Sequence, residues 1–275
     1  MFPLKDNIPT ERFPVVTVAL IAINVFVFLF LQHPSGFSSV DDETVVKYGA
    51  IPYALTHPGK HCGLGDRVTP GGVLVTSQHG TVACEGKVVQ TSEGPTKIRA
   101  IAGSQPPAWL TIFTAMFMHG GFLHIIGNML FLWIFGNNVE DAMGPLKYLA
   151  FYLLSGVAAL ALQVAFNPDS TVPTIGASGA IAGVLGGYIL LYPRARVLTL
   201  IFLIFFVTFI EVPAVLVLGV WFLEQLYFGV ADLSHPTGGG VAYFAHIGGF
   251  AFGLIFIRAF ATRIRRPPEP RLPAY

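Results

Sequence analysis

The chain has 275 residues, 53% of them hydrophobic and 11% charged, with a mean hydropathy of +0.66. Ordinary soluble domains carry about 25% charged residues, so this composition excludes a soluble globular protein and describes a polytopic membrane protein. A formal net charge of +1 argues against nucleic acid as a partner.

A helix rises about 1.5 Å per residue, so a hydrocarbon core of roughly 30 Å takes about 20 residues to cross. Residues 1–13 read as a cytoplasmic N-terminal segment, and Pro14 to Gln32 as the first span. That run follows Lys5 and Arg12, is too long for a signal-peptide core and has no small-residue cleavage site, so it is a retained helix. Residues 33–106 change character, being rich in Gly, Pro, Thr and charge, and read as an extracytoplasmic insert. Within it, Gly72 to Thr76 and Gly86 to Gln90 suit short β-strands. Both cysteines, Cys62 and Cys84, lie here; an oxidising compartment allows a disulfide between them, although sequence fixes no distance. His61 and His79 stand close by, but the spacing matches no standard zinc site, and no metal is expected.

The 107–261 core follows. Phe122 to Phe135 with its flanks is the second span, Tyr148 to Phe166 the third and Ala177 to Tyr192 the fourth. Val197 to Val230 would be about 51 Å long as one helix, too much for one crossing, and Pro213 favours a break. This run divides into a buried or interfacial segment, Val197 to Ile210, and a fifth span, Glu211 to Phe228. Val241 to Ala261 is the sixth span, and 262–275 is a basic cytoplasmic tail. With the N-terminus inside, the inner segments hold Lys5, Arg12, Lys147, Arg194, Arg196, Arg258, Arg263, Arg265, Arg266 and Arg271, while the short outer loops near 167–176 and 231–240 hold no Lys or Arg. The expected fold is therefore an all-α bundle of six transmembrane helices with both termini cytoplasmic.

In this topology the second, fourth and sixth spans run the same way. His124, Ser178 and His246 each fall near the start of a span, about 5–10 Å below the outer surface. Polar and ionisable groups at such depth are costly and mark functional sites. Ser178 sits in Gly176-Ala177-Ser178-Gly179-Ala180-Ile181-Ala182-Gly183, and His246 in Ala245-His246-Ile247-Gly248-Gly249. A serine hydroxyl needs a neighbouring base, most often imidazole. The fourth and sixth spans contain no acidic residue, so a Ser178–His246 dyad is the economical arrangement. His124 and Asn128 stand four apart, on one helical face. With the Ser178 N–H at a helix N-terminus, they are candidate donors to an oxyanion. The bland alternative is packing. Gly179, Gly183 and Gly187, and again Gly249 and Gly253, form small-residue faces on which a serine or histidine merely satisfies a neighbour, and His124 with Asn128 would clasp two helices. His119 lies off that face and reads as a brace for the preceding loop.

From about Pro107 to Arg258, and more loosely through the first span, the sequence resembles the rhomboid family of intramembrane serine proteases. The resemblance rests on Gly176-Ala177-Ser178-Gly179, on His246 with Gly249 and Gly253, and on His124 with Asn128. Val139-Glu140-Asp141, with Gly144 and Tyr148, looks like the family's loop between the second and third spans. The resemblance implies a six-helix core, a Ser178–His246 dyad, an oxyanion site from His124, Asn128 and the Ser178 N–H, no cofactor and no metal. It implies substrates that are themselves transmembrane proteins in the bilayer, and the reading places the chain in a bacterial inner membrane. Two positions depart from the family pattern. Trp109 is followed by Leu110 rather than arginine, which leaves the in-plane segment Ala108 to Met118 to apolar anchoring. Ala182 stands where some members carry an aromatic that packs on the histidine.

Glu211 is expected near the inner end of the fifth span, within reach of Arg194 and Arg196. Glu224, beside Gln225 and near Trp221, reads as a neutral or interface-seeking carboxyl, or else as part of a wet gate. The Gly-rich loop Ala231 to Gly240 suits a lid. The rival to a protease is a non-catalytic relative that binds or escorts transmembrane clients. A transporter would need inverted repeats and broken charged helices, and a metalloprotease a His-Glu-x-x-His run; neither is found.

Overall fold

The computed structural model describes residues 2–34, 40–77, 80–91, 94–102, 106–203, 206–234 and 241–262. Strand β1 (Phe2–Asp6) precedes helix α1 (Val15–Phe26), which continues as a π-helical turn, Val27–Leu31. The first N–H groups of α1 lack intrahelical acceptors, and the Glu140 carboxylate supplies them. Val16 N donates to it at 2.9 Å, and Thr17 donates through N and through Oγ1, each at 2.8 Å. At the far end, Gln32 Nε2 donates to His119 O at 2.7 Å while Gln32 Oε1 accepts from His119 N at 2.8 Å. His119, expected to brace the preceding loop, instead ties its backbone to the end of α1 through Gln32.

The segment after α1 holds α2 (Asp42–Tyr48), α3 (Pro52–Thr56), β2 (Cys62–Val68), β3 (Val73–Thr76), β4 (Thr81–Cys84), β5 (Val88–Thr91), β6 (Gly94–Lys97) and β7 (Ala100–Ile101). Four strands pair in the order β4-β2-β3-β7, and β5 pairs with β6. Cys62 and Cys84 face each other across β2 and β4 and are joined by a disulfide. His79 lies outside the described residues. This lobe grips the loop that leads to Ser178. Ala50 and Thr174 exchange backbone hydrogen bonds at 3.0 and 2.8 Å, Tyr53 N donates to Ser170 O at 3.0 Å, and Thr56 Oγ1 donates to Pro168 O at 2.8 Å.

The in-plane segment is α4 (Ala108–Thr114) with a 3₁₀ turn, Ala115–Phe117. Next, α5 (Phe122–Phe131) passes through a π-helical turn, Leu132–Gly136, into α6 (Asn137–Met143). Val139, Glu140 and Asp141 therefore end a helix rather than form a loop; Glu140 is buried because it caps α1. Helix α7 (Pro145–Phe166) returns, and α8 (Ser178–Leu191) runs through the centre. At 14 residues, α8 is about 21 Å long. Its glycines allow backbone contact with α10 (Tyr243–Phe260). A Cβ on Gly249 would overlap Gly179 O, and one on Gly253 would overlap Gly183 O. This approach puts the first turns of α8 and α10 side by side.

One expectation needs correction: the chain is not all-α. Val197 to Ile210, expected as a buried or interfacial segment, contributes to two β-strands. β8 (Arg196–Leu203) and β9 (Phe206–Pro213) form an antiparallel hairpin, with β1 added on the β8 side. Arg196 to Thr199 alternate exposed and buried, the period of a strand, and β-branched and aromatic residues dominate the run. Pro3 is accommodated because β1 is an edge strand. Helix α9 (Ala214–Ser234) consequently starts after Pro213, and Glu211 lies in β9, where it pairs with Arg196 at 3.7 Å. Residues 231–234 of the expected lid are the last turn of α9; residues 235–240 and the tail from 263 onward lie outside the described residues.

Among the described residues four helices are long and apolar enough to cross a membrane: Phe122–Met143, Pro145–Phe166, Ala214–Leu233 and Tyr243–Phe260. Val15–Leu31, Ala108–Phe117 and Ser178–Leu191 are shorter apolar helices. The molecule is a mostly helical, multi-pass membrane protein.

Candidate active site

Ser178 is the first residue of α8, and its approach is fixed by Gly176. The N–H of Gly176 donates to Ala115 O at 2.9 Å, and its φ of +117° lies where only glycine is unstrained. A Cβ there would also sit 2.8 Å from His124 Nε2 and 3.5 Å from Ser178 Oγ. The loop thereby passes directly beside both side chains.

From α10, His246 Nε2 lies 2.8 Å from Ser178 Oγ. The other ring nitrogen, Nδ1, lies 2.7 Å from Gln225 Oε1 on α9. An amide oxygen only accepts, so Nδ1 carries the proton and Nε2 turns a lone pair toward the serine. That is the tautomer a general base requires. The Trp221 ring stands 5.6 Å from the imidazole, tilted by 40°.

From α5, His124 Nδ1 accepts a hydrogen bond from Gly120 N at 3.2 Å, which leaves Nε2 as the N–H donor. Asn128, one turn further along, is buried, and its Nδ2 has no hydrogen-bond partner among the described residues. A buried unpaired donor is costly and is a natural place for an incoming oxygen. Both side chains line a cavity of about 370 Å³ together with Ser178, His246, Trp221 and Phe131. The structure thus gathers Ser178, His246, His124 and Asn128 around one space. His119 is fully buried behind it, its ring edge-on to His124 with centroids 5.1 Å apart. Cys62 and Cys84 lie apart, in the insert, and Glu224 is exposed on the outer side of α9. Among the described residues no three His, Cys, Asp or Glu side chains are placed to hold a metal ion. Sequence reasoning treated Gln225 and Trp221 only as neighbours of Glu224. Their signal was an amide four residues after an indole in an otherwise apolar helix, a spacing that puts both on one face.

The Rhomboid domain family model matches residues 106–263, more than half of the chain. The chain belongs to the rhomboid family. Its match to the mitochondrial Rhomboid protein 1 of Saccharomyces cerevisiae is 28% identical over 171 residues, 60% of this chain and 46% of that protein. RHOMBOID-like protein 4 of Arabidopsis thaliana is 30% identical over 177 residues, covering 64% of this chain and 39% of the relative. The Rhomboid protease GluP of Bacillus subtilis is 37% identical over 78 residues, 28% of this chain and 15% of that protein. The rhomboid chain described here spans less than half the length of each of these relatives.

Proposed function

We propose that this rhomboid is an intramembrane serine endopeptidase that cuts transmembrane proteins in or near their membrane segments. The observation that carries the reading is the 2.8 Å contact between Ser178 Oγ and His246 Nε2 at the edge of a cavity with unused donors. Ser178 Oγ attacks the scissile carbonyl carbon while His246 Nε2 takes the hydroxyl proton. The carbonyl oxygen becomes an oxyanion, met by Asn128 Nδ2–H, His124 Nε2–H and the Ser178 N–H at the start of α8. The intermediate collapses, His246 returns the proton to the leaving amine, and an acyl-enzyme remains. Water entering the cavity repeats the sequence and frees Ser178.

In this reading the four long helices cross the bilayer with Val15–Leu31 and Ser178–Leu191, giving six spans. The Ser178 end and the disulfide-bearing insert face outward and both termini face the cytoplasm, in accord with the basic residues of the sequence. A bacterial inner membrane suits this arrangement. The substrate helix comes from the bilayer beside α5, whose Leu123 and Ile126 are exposed.

Purified protein with Ser178→Ala, assayed on a model transmembrane substrate, is expected to lose cleavage by about 10³-fold or more. A variant that cleaves as fast as the parent would overturn the assignment.

A further inference from the structure

We propose that Gln225 is a positioning residue for the dyad: from α9 it fixes the tautomer and the orientation of the His246 imidazole. This rests on the protease reading above and deepens it.

The base has few neighbours that could hold it. Ala182, where some rhomboids carry an aromatic, is fully buried against Gly249 and reaches no imidazole. The ring nitrogens meet Ser178 Oγ on one side and Gln225 Oε1 on the other. Ser178 is the reacting group, so it cannot also be the anchor. Gln225 is itself buried, at 8% exposure, which makes its amide a fixed partner rather than a mobile surface group. With an acceptor on Nδ1, rotation of the ring by a half-turn would lose this hydrogen bond, and transfer of the proton to Nε2 would set two lone pairs against each other. Both unproductive states are thereby disfavoured, as an acidic third residue would do, but without a buried charge.

The anchor is on a different element from the base. Trp221 and Gln225, four apart, turn one face of α9 toward His246, while Val220, Leu223 and Tyr227 on its other faces are exposed. Trp221 also lines the cavity. The helix that walls the cavity therefore holds the base, and the dyad is aligned when α9 is in place.

The test compares the parent with Gln225→Ala and Gln225→Glu in proteoliposomes, measuring kcat and KM on a model transmembrane substrate. In parallel, ¹⁵N-histidine NMR reads the His246 tautomer, assigned by the signals missing in His246→Ala. Gln225→Ala is expected to lower kcat roughly 10- to 100-fold, part of the 10²–10⁴ that general-base catalysis supplies, with KM within about twofold. Gln225→Glu, which keeps an acceptor oxygen at the same reach, is expected to recover most of that loss. The NMR is expected to show the Nδ1–H tautomer in the parent and a mixture in Gln225→Ala. An unchanged tautomer in Gln225→Ala overturns the proposal, as does a loss confined to KM or an equal loss in both variants. A parent that shows the Gln225-dependent tautomer but cleaves nothing overturns the protease reading and leaves the positioning role standing.

Discussion

Helix α8 carries polar groups at both ends, and the two ends are built differently. At its start Ser178 meets His246 at the rim of a cavity of about 370 Å³, with the Nδ2 donor of Asn128 unused. Toward its other end Tyr188 OH donates to Asp6 Oδ2 at 2.6 Å, Asn138 Nδ2 donates to the same oxygen at 2.7 Å, and Tyr192 OH donates to Asn138 O at 3.1 Å. Glu140 nearby accepts three hydrogen bonds from the start of α1. Asp6, Asn138, Glu140, Tyr188 and Tyr192 are all buried. One end is a site open to a cavity, with spare donors; the other is a set of hydrogen-bonded fasteners tying β1, α1 and α6 to α8, in which Asn138 Oδ1 alone of the named groups is left unpaired. Polarity inside apolar helices does not by itself mark chemistry. Spare hydrogen-bonding capacity facing a cavity does.

Substitutions at the two ends should accordingly separate activity from stability. The largest effect is expected from His246→Ala, which should lower cleavage of a model transmembrane substrate by about 10³-fold or more while thermal unfolding stays near that of the parent. Asn128→Ala should lower kcat by about 10²–10³ with little change in KM, the usual cost of one oxyanion donor; a change confined to KM would assign Asn128 to substrate binding instead. At the other end, Glu140→Ala leaves the N–H of half-buried Val16 and the N–H and hydroxyl of buried Thr17 unpaired and should cost about 3 kcal/mol of stability, with kcat per folded molecule within about threefold of the parent. A kcat collapse in folded Glu140→Ala would dissolve the distinction between the ends.

The smallest effect is pH-dependent. Burial pushes the Asp6 carboxyl up from 3.8 to about 6, against the lowering influence of Tyr188. The folded chain thus binds a proton here that the unfolded chain has released, so this contribution to stability is full below pH about 4. It declines as pH rises and is gone above about 6. Chemical denaturation across that window should show the decline, and Asp6→Asn should remove it.

Much of the helical body was legible because runs near 20 apolar residues have few other uses, and Ser178, His246, His124 and Asn128 stood out as polar groups among glycines and aliphatics. The β8–β9 hairpin was not legible. Its run is apolar on both faces, so its alternation shows in burial and not in hydropathy, and its partner β1 lies almost two hundred residues away in sequence. Glu140 looked like a loop residue because its role, capping α1, depends on a contact 123 residues distant. Gln225 carried a local signal, but only the meeting of α9 with α10 shows that its oxygen faces Nδ1. Gly176 was legible as part of a motif, whereas its positive φ belongs to the folded loop.

The most direct test of the account is covalent labelling with a fluorophosphonate, followed by mass spectrometry of the modified peptide. The account predicts a single modification at Ser178 in the parent that disappears in His246→Ala. No label at Ser178, or equal labelling with and without the His246 imidazole, would contradict it.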